Sequence, residues 1–304
     1  MEIVNTEVPI TSALNESYIL QLTAKYPFLR SEELGRTAYG RPIRTLVVGN
    51  GPRKVIFTAS HHANEWITSL VLLKYAEQLA EAIASGGEIA GTDGEKLSER
   101  VTIYMVPMVD PDGVDLINGA VSRQEQQEAQ LIAARYPQIP FPTGWKANLL
   151  GVDLNLNYPA GWLQAREIKF SKGYTRPAPR DYVGRAPLGQ IETRLLAGYT
   201  EFIDPALVLA YHSQGKEIYW QFEDIRVPGA EELGQALADS SGYRLARVAY
   251  DSGFAGYKDW FIKVFRRPGY TVEVGQGENP LPLSQFPEIY RDNVGLMTTA
   301  ALGL

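Results

Sequence analysis

Short continuous apolar runs punctuate the chain. Lys54 to Ala59, Val101 to Val109 and Ala206 to Tyr211 have the pattern of buried strands, and Ile43 to Val48 and Tyr270 to Val274 read the same way. Asn50-Gly51 between two of these runs predicts a hairpin turn. Between the runs, apolar residues recur at helical spacing. Residues 12–28 place Tyr18, Ile19, Leu22 and Tyr26 on one face, and Pro27 ends that helix. Residues 66–84 carry Trp66, Ile67, Leu70, Leu73, Leu79 and Ile83, an amphipathic helix stopped by Gly86-Gly87. Further helices are predicted over 122–135, 190–203, 230–240, 257–265 and 284–301.

The intervening stretches read as loops. Residues 86–99 are polar and Gly-rich, and Asp110-Pro111-Asp112-Gly113 is a turn signal. A long loop runs to about residue 189 and carries Arg166, Lys169, Lys172, Arg176, Arg180 and Arg185. Its length points to function. Strands and helices alternate throughout, with no repeat and no linker. The expected architecture is one α/β domain over residues 1–304, with a mixed, mostly parallel sheet and helices on both faces.

Composition removes several classes of function. The net charge of −6 argues against nucleic acid as a partner. No run of 18 apolar residues exists, so no membrane span is expected. The acidic start lacks the basic and apolar regions of a signal peptide. A cytoplasmic protein is therefore expected, or a secreted one if this chain is part of a longer protein. With no cysteine, any metal site must use histidine and carboxylate.

The candidate chemistry lies in Ser60-His61-His62-Ala63-Asn64-Glu65-Trp66. The whole chain has three histidines, and two are here. His62 and Glu65 form an H-x-x-E pair between a strand and a helix, on the rim where α/β sheets place ligands. Such a pair also arises as ordinary hydrogen-bonded rim residues. Histidine is scarce elsewhere, however, and His212 follows another apolar run. His62, Glu65 and His212 would give zinc three ligands and leave a fourth position for water. The spacing to Glu65 favours His62 over His61.

Several motifs in order resemble the zinc metallocarboxypeptidase family. His62-Ala63-Asn64-Glu65-Trp66 resembles its H-x-x-E motif, and Asp110-Pro111-Asp112-Gly113 the turn that follows. Gly151-Val152-Asp153-Leu154-Asn155 resembles its G-V-D-x-N block, and His212-Ser213-Gln214 its third ligand. Glu273 falls where the family keeps its catalytic glutamate. The resemblance covers roughly residues 37–280. It implies zinc-assisted attack of water on an amide carbonyl, with Glu273 moving the proton.

The remaining roles follow from the same resemblance. Asp153 would hold a zinc histidine through its other ring nitrogen, or is a turn aspartate. Lys146 aligns with an oxyanion-stabilising arginine, or is a surface lysine. Asn155 is a substrate contact by its matching neighbours. Tyr250 resembles the family's mobile tyrosine, with Tyr257 as competitor. Arg166 and Arg180 are candidates for substrate carboxylates, with a solvated basic face as the alternative.

One departure bears on specificity. The arginine that grips a terminal carboxylate in carboxypeptidases is replaced by Leu156, which can make no ion pair. Together with Glu273-Val274-Gly275-Gln276-Gly277-Glu278-Asn279-Pro280-Leu281-Pro282, this resembles the branch that cleaves γ-D-glutamyl–diamino acid bonds in bacterial cell-wall peptides. Alternatives are a zinc carboxypeptidase or amidohydrolase on other acyl-amino acids, or an inactive peptide-binding module.

Overall fold

The computed structural model describes residues 2–303. The chain opens with α1 (Ser12–Lys25), β1 (Arg30–Arg36), β2 (Pro42–Val48), β3 (Arg53–Thr58) and α2 (Ile67–Ser85). A small hairpin of β4 (Glu88–Ile89) and β5 (Thr92–Asp93) leads to α3 (Gly94–Arg100) and β6 (Val101–Val106). Then come α4 (Pro111–Ile117), α5 (Arg123–Ala133), α6 (Trp162–Ser171) and α7 (Ile191–Ile203). The last third holds β7 (Leu207–His212), β8 (Glu217–Tyr219), α8 (Ala230–Ser241), β9 (Arg244–Ala246), α9 (Tyr257–Phe265), β10 (Gly269–Glu273) and α10 (Phe286–Leu302).

Eight strands form one sheet in the order β1-β2-β6-β3-β7-β10-β8-β9. The four central strands β6, β3, β7 and β10 are parallel; β2 and β8 flank them antiparallel, β1 pairs antiparallel with β2, and β9 pairs parallel with β8. Successive residues of β3 serve opposite faces: Val55 and Phe57 join one core and Ile56 the other. Residues of α1, α2, α8 and α10 complete the first core, and residues of α7 and α9 the second. With both faces covered, all six residues of β6 and of β7 are buried. The expected α/β architecture is therefore present. Among the described residues, no helix is long and apolar enough to cross a membrane.

Several local expectations change. The hairpin across Asn50-Gly51 does not form, because β6 lies between β2 and β3. The glycines there serve a close approach instead. A Cβ on Gly51 would sit 2.0 Å from the Arg100 carbonyl carbon, and one on Gly49 would sit 2.2 Å from Val101 O. Residues 86–99 are ordered into β4, β5 and α3, with the Asp93 side chain capping Lys96 N. Asp110-Pro111-Asp112-Gly113 is a helix start and not a turn: Asp110 is the N-cap of α4 and Pro111 takes the first helical position. The stretch to residue 189 contains α6. The predicted amphipathic helix, α2, is buried nearly all round, since it lies between the sheet and other helices. The edge strands β1 and β9, and the short β8 beside β9, carry too few buried apolar residues to stand out in sequence.

Candidate active site

The parallel strands β3, β7 and β10 finish at one edge of the sheet. The turn after β3 carries His62 and Glu65, β7 ends on His212, and β10 ends on Glu273 in register with His212. Hydrogen bonds pin the turn. Ser60 N donates to Thr68 Oγ1 (3.0 Å), and Ala63 N donates to Lys146 O (3.1 Å).

His62, Glu65 and His212 offer ligand atoms within 4.8 Å of one another. His62 Nδ1 lies 3.0 Å from Glu65 Oε1. His212 Nδ1 lies 3.0 Å from Glu65 Oε2 and 3.2 Å from His62 Nδ1. Four donors around a tetrahedral zinc at about 2.1 Å stand about 3.4 Å apart. Two imidazole nitrogens and a buried carboxylate at nearly this spacing fit a divalent zinc.

The neighbours orient these groups. His62 Nε2 faces Asp153 Oδ1 at 3.0 Å, and Asp153 Oδ2 accepts from Asp181 N at 3.2 Å. The imidazole is thus held from the side away from the metal position. Glu65 Oε2 accepts from Ser213 N (3.0 Å), and Lys146 Nζ lies 2.7 Å from Glu65 Oε1. His61 stays outside the trio. It is fully buried, stacks on His212 and Tyr257, and lies 3.3 Å from the Tyr158 hydroxyl.

Charge balance divides the carboxylates. Burial opposes ionisation of Glu65, but Lys146 and His62 outweigh it and hold the group well below the usual range. Burial likewise opposes Asp153, and His62 with Lys146 outweighs it. At Glu273, burial and then the negative Glu65 push the pKa up to about 8, against the pull of Lys146 and His62. Burial disfavours the His62 imidazolium, yet Glu65 and Asp153 raise it to about 9. A bound cation must displace that proton, so metal uptake releases protons.

A cavity of about 610 Å³ opens over these groups. Its lining includes His62, Lys146, Asp153, Asn155, Arg180, His212 and Glu273, so most of the expected site residues meet there. Leu156 also faces it, an apolar wall at the position of the missing clamp. Tyr250 and Arg166 are not in the lining. Tyr250 is 71% exposed and stands edge-on to Phe254, although Ala249 and Ser252 beside it line the cavity. Arg166 lies over the rings of Phe170 and Trp162. Tyr257 is buried with its hydroxyl 2.8 Å from Thr200 Oγ1, which leaves it outside the site.

Asp181, Lys258 and Asp259 also line the cavity and are not among the candidates from sequence. Lys169 and Arg180, both from the basic loop, hold Asp181 at 2.5 and 2.9 Å. Lys258 and Asp259 lie in the first turn of α9 and also line the cavity. Their signal was faint: two charges within an otherwise mostly apolar helical stretch.

A family profile described as zinc carboxypeptidase (peptidase family M14) matches residues 15–295. The chain is 40% identical over 278 residues to gamma-D-glutamyl-L-diamino acid endopeptidase 1 of Lysinibacillus sphaericus, covering 91% of this chain and 68% of that protein. The fold is similar to bovine thrombin-activatable fibrinolysis inhibitor, with a TM-score of 0.73, 16% identity and 97% of each chain covered. It is also similar to murein-tripeptide amidase MpaA of Escherichia coli O157, with a TM-score of 0.53, 20% identity, and 88% of this chain and 91% of that one covered.

Proposed function

The chain belongs to the zinc carboxypeptidase family and is a zinc metallopeptidase, and from that premise we propose that it hydrolyses the γ-D-glutamyl–diamino acid amide bond of bacterial cell-wall peptides. The observation that carries this reading is the 40% identity to an endopeptidase named for that bond, over 91% of the chain. The cavity supports it. Leu156 removes the usual grip on a C-terminal carboxylate, while Lys146, Lys169, Arg180 and Lys258 supply cations around the same space.

His62, Glu65 and His212 would hold the zinc. When bound, the metal supplies Lewis acidity and a water of lowered pKa. The Glu273 carboxylate takes a proton from the attacking water and returns it to the leaving amine. The Lys146 ammonium faces the oxygen on which negative charge develops. Asp153 fixes the His62 ring through Nε2. Asn155 and Arg180 bind substrate, with Arg180 receiving the free α-carboxylate that a γ-linked D-glutamate exposes.

The test is cleavage of L-Ala-γ-D-Glu-meso-diaminopimelate, followed by mass spectrometry beside its α-linked L-Glu analogue and a standard carboxypeptidase substrate. We expect the γ-linked peptide to be cleaved at least tenfold faster, since one charged hydrogen bond to substrate is worth about ten- to more than a hundredfold. Equal or faster cleavage of the other two overturns the substrate assignment and leaves the zinc chemistry standing.

A further inference from the structure

Residues 178–182 run alongside three parts of the site. Ala178 N donates to Gly151 O at 3.0 Å, and Pro179 O accepts from both Lys146 N (2.7 Å) and Ala147 N (2.9 Å). Asp153 N donates to Tyr182 O at 2.8 Å. Asp181 N answers with a bond to the Asp153 side chain, reaching Oδ2 at 3.2 Å. Asp153 Oδ1 in turn faces His62 Nε2. The segment is therefore the splint against which Lys146 and the His62 imidazole are set.

Asp181 makes its amide bond from a strained backbone. Its φ is +66, in the left-handed region that side chains other than glycine enter at a cost. Such a conformation persists where the surroundings hold it. Here two cations do so. The buried Lys169 of α6 places Nζ 2.5 Å from Asp181 Oδ1, and Arg180 Nε donates to Oδ2 at 2.9 Å. The same ion pairs fix Arg180, which lines the cavity. With Nε committed to Asp181, the plane of the guanidinium is set. Its two Nη groups have no hydrogen bond to any described residue, and they form the fork that a carboxylate accepts. An acid that only neutralised a basic loop would need neither the left-handed backbone nor the bond to Asp153.

We propose that Asp181 is a positioning residue with two separable tasks, the first of which rests on the function proposed above. Its carboxylate orients Arg180 toward the α-carboxylate of the γ-linked D-glutamate. Its amide, aimed by the left-handed backbone, holds Asp153 and through it the His62 ring that the metal needs.

The experiment follows zinc release from the loaded protein into excess chromophoric chelator, beside kcat and KM on L-Ala-γ-D-Glu-meso-diaminopimelate. Asp181→Gly keeps the amide, adopts the left-handed backbone without strain, and removes the carboxylate. Its zinc release should stay within about threefold of the wild type, while KM rises about tenfold from the loss of one oriented charged contact. Asp181→Asn also enters the left-handed region and keeps an oxygen for Arg180, so it should restore most of the KM. Asp181→Val is β-branched and opposes a positive φ. It should release zinc about tenfold faster, the lower end for a lost partner behind a metal ligand, and should lose kcat as well. Should Asp181→Val fail to fold, Asp181→Ala opposes the same φ with a single methyl and should still release zinc faster than Asp181→Gly. Wild-type zinc release in Asp181→Val, or equally fast release in Asp181→Gly, overturns the task given to the amide. An unchanged KM in Asp181→Gly overturns the task given to the carboxylate. If the wild type leaves the γ-linked peptide intact, the substrate reading fails and the orienting of Arg180 with it, while the zinc comparison uses no substrate and still decides the other task.

Discussion

Glu273 is the single group on which turnover should depend most steeply. It ends β10 beside His212 and lines the cavity over the metal ligands, where it can reach a water held by the metal. Glu273→Gln keeps the shape and removes the acceptor. Turnover should fall by about 10²- to 10⁴-fold, the usual worth of a general base, while zinc measured by atomic absorption stays near one per chain. His212→Ala should do the reverse to the metal, leaving His62 and Glu65 as two ligands and losing most of the zinc. Normal turnover in the first variant, or full zinc in the second, would refute these roles. His62, Glu65 and His212 were legible because histidine is so scarce that its spacing carries information. Lys258 and Asp259 were not, because a charged pair at the start of a helix has the same letters whether it faces water or a cavity. Tyr250 shows the converse: its motif context marks a segment whose neighbours line the cavity, but its own ring lies on Phe254.

Among the elements, the strongest sequence signals were long helices with clear stops. The α8 stop at Gly242 takes a left-handed conformation, as a C-terminal glycine does. The α5 start pairs Ser122 and Glu125 in a reciprocal capping box. Asn50-Gly51 misled because a glycine serves equally for a tight turn and for close backbone approach, and only the partner strand decides. Gly51→Ala tests that explanation. Its new methyl would fall 2.0 Å from the Arg100 carbonyl carbon, against backbone atoms that cannot rotate away. The loss should reach about 3 kcal/mol, the upper end for overpacking. Gly40→Ala is the control. Gly40 has φ +84 but nothing within 4 Å of the added methyl, so only backbone strain remains, about 1 kcal/mol. Urea midpoints should fall in that order, and equal midpoints would remove the close-approach explanation.

At the scale of the whole molecule, sheet order was illegible, because placing β6 between β2 and β3 depends on contacts that no local pattern encodes. One consequence of that packing is a buried carboxyl layer under the site. Glu192, in the first turn of α7, is 1% exposed; its Oε1 accepts from Asn148 Nδ2 at 3.2 Å and its Oε2 has no partner. Burial, with Asp112 adding to it, pushes Glu192 from 4.5 up to about 7, against the α7 start and Asn148. Asp110 is fully buried, has an unpartnered Oδ2, and is shifted upward by burial and by Glu192. An acid raised in the folded state keeps a proton that the unfolded chain releases. Between about pH 4.5 and 7 the unfolded state therefore binds fewer protons, and stability falls as pH rises, levelling off above 7. A shift of this size corresponds to on the order of 3 kcal/mol. Glu192→Gln is neutral in both states and should flatten this decline between pH 5 and 7.5 in urea unfolding. The amide leaves its own unpaired donor at every pH, so the slope carries the answer and not the absolute stability. Titrations of groups that Glu192 does not touch cancel in the comparison, and Asp110, which loses the repulsion of Glu192, moves in the same direction. Parallel pH profiles would mean that Glu192 is already ionised in the native protein.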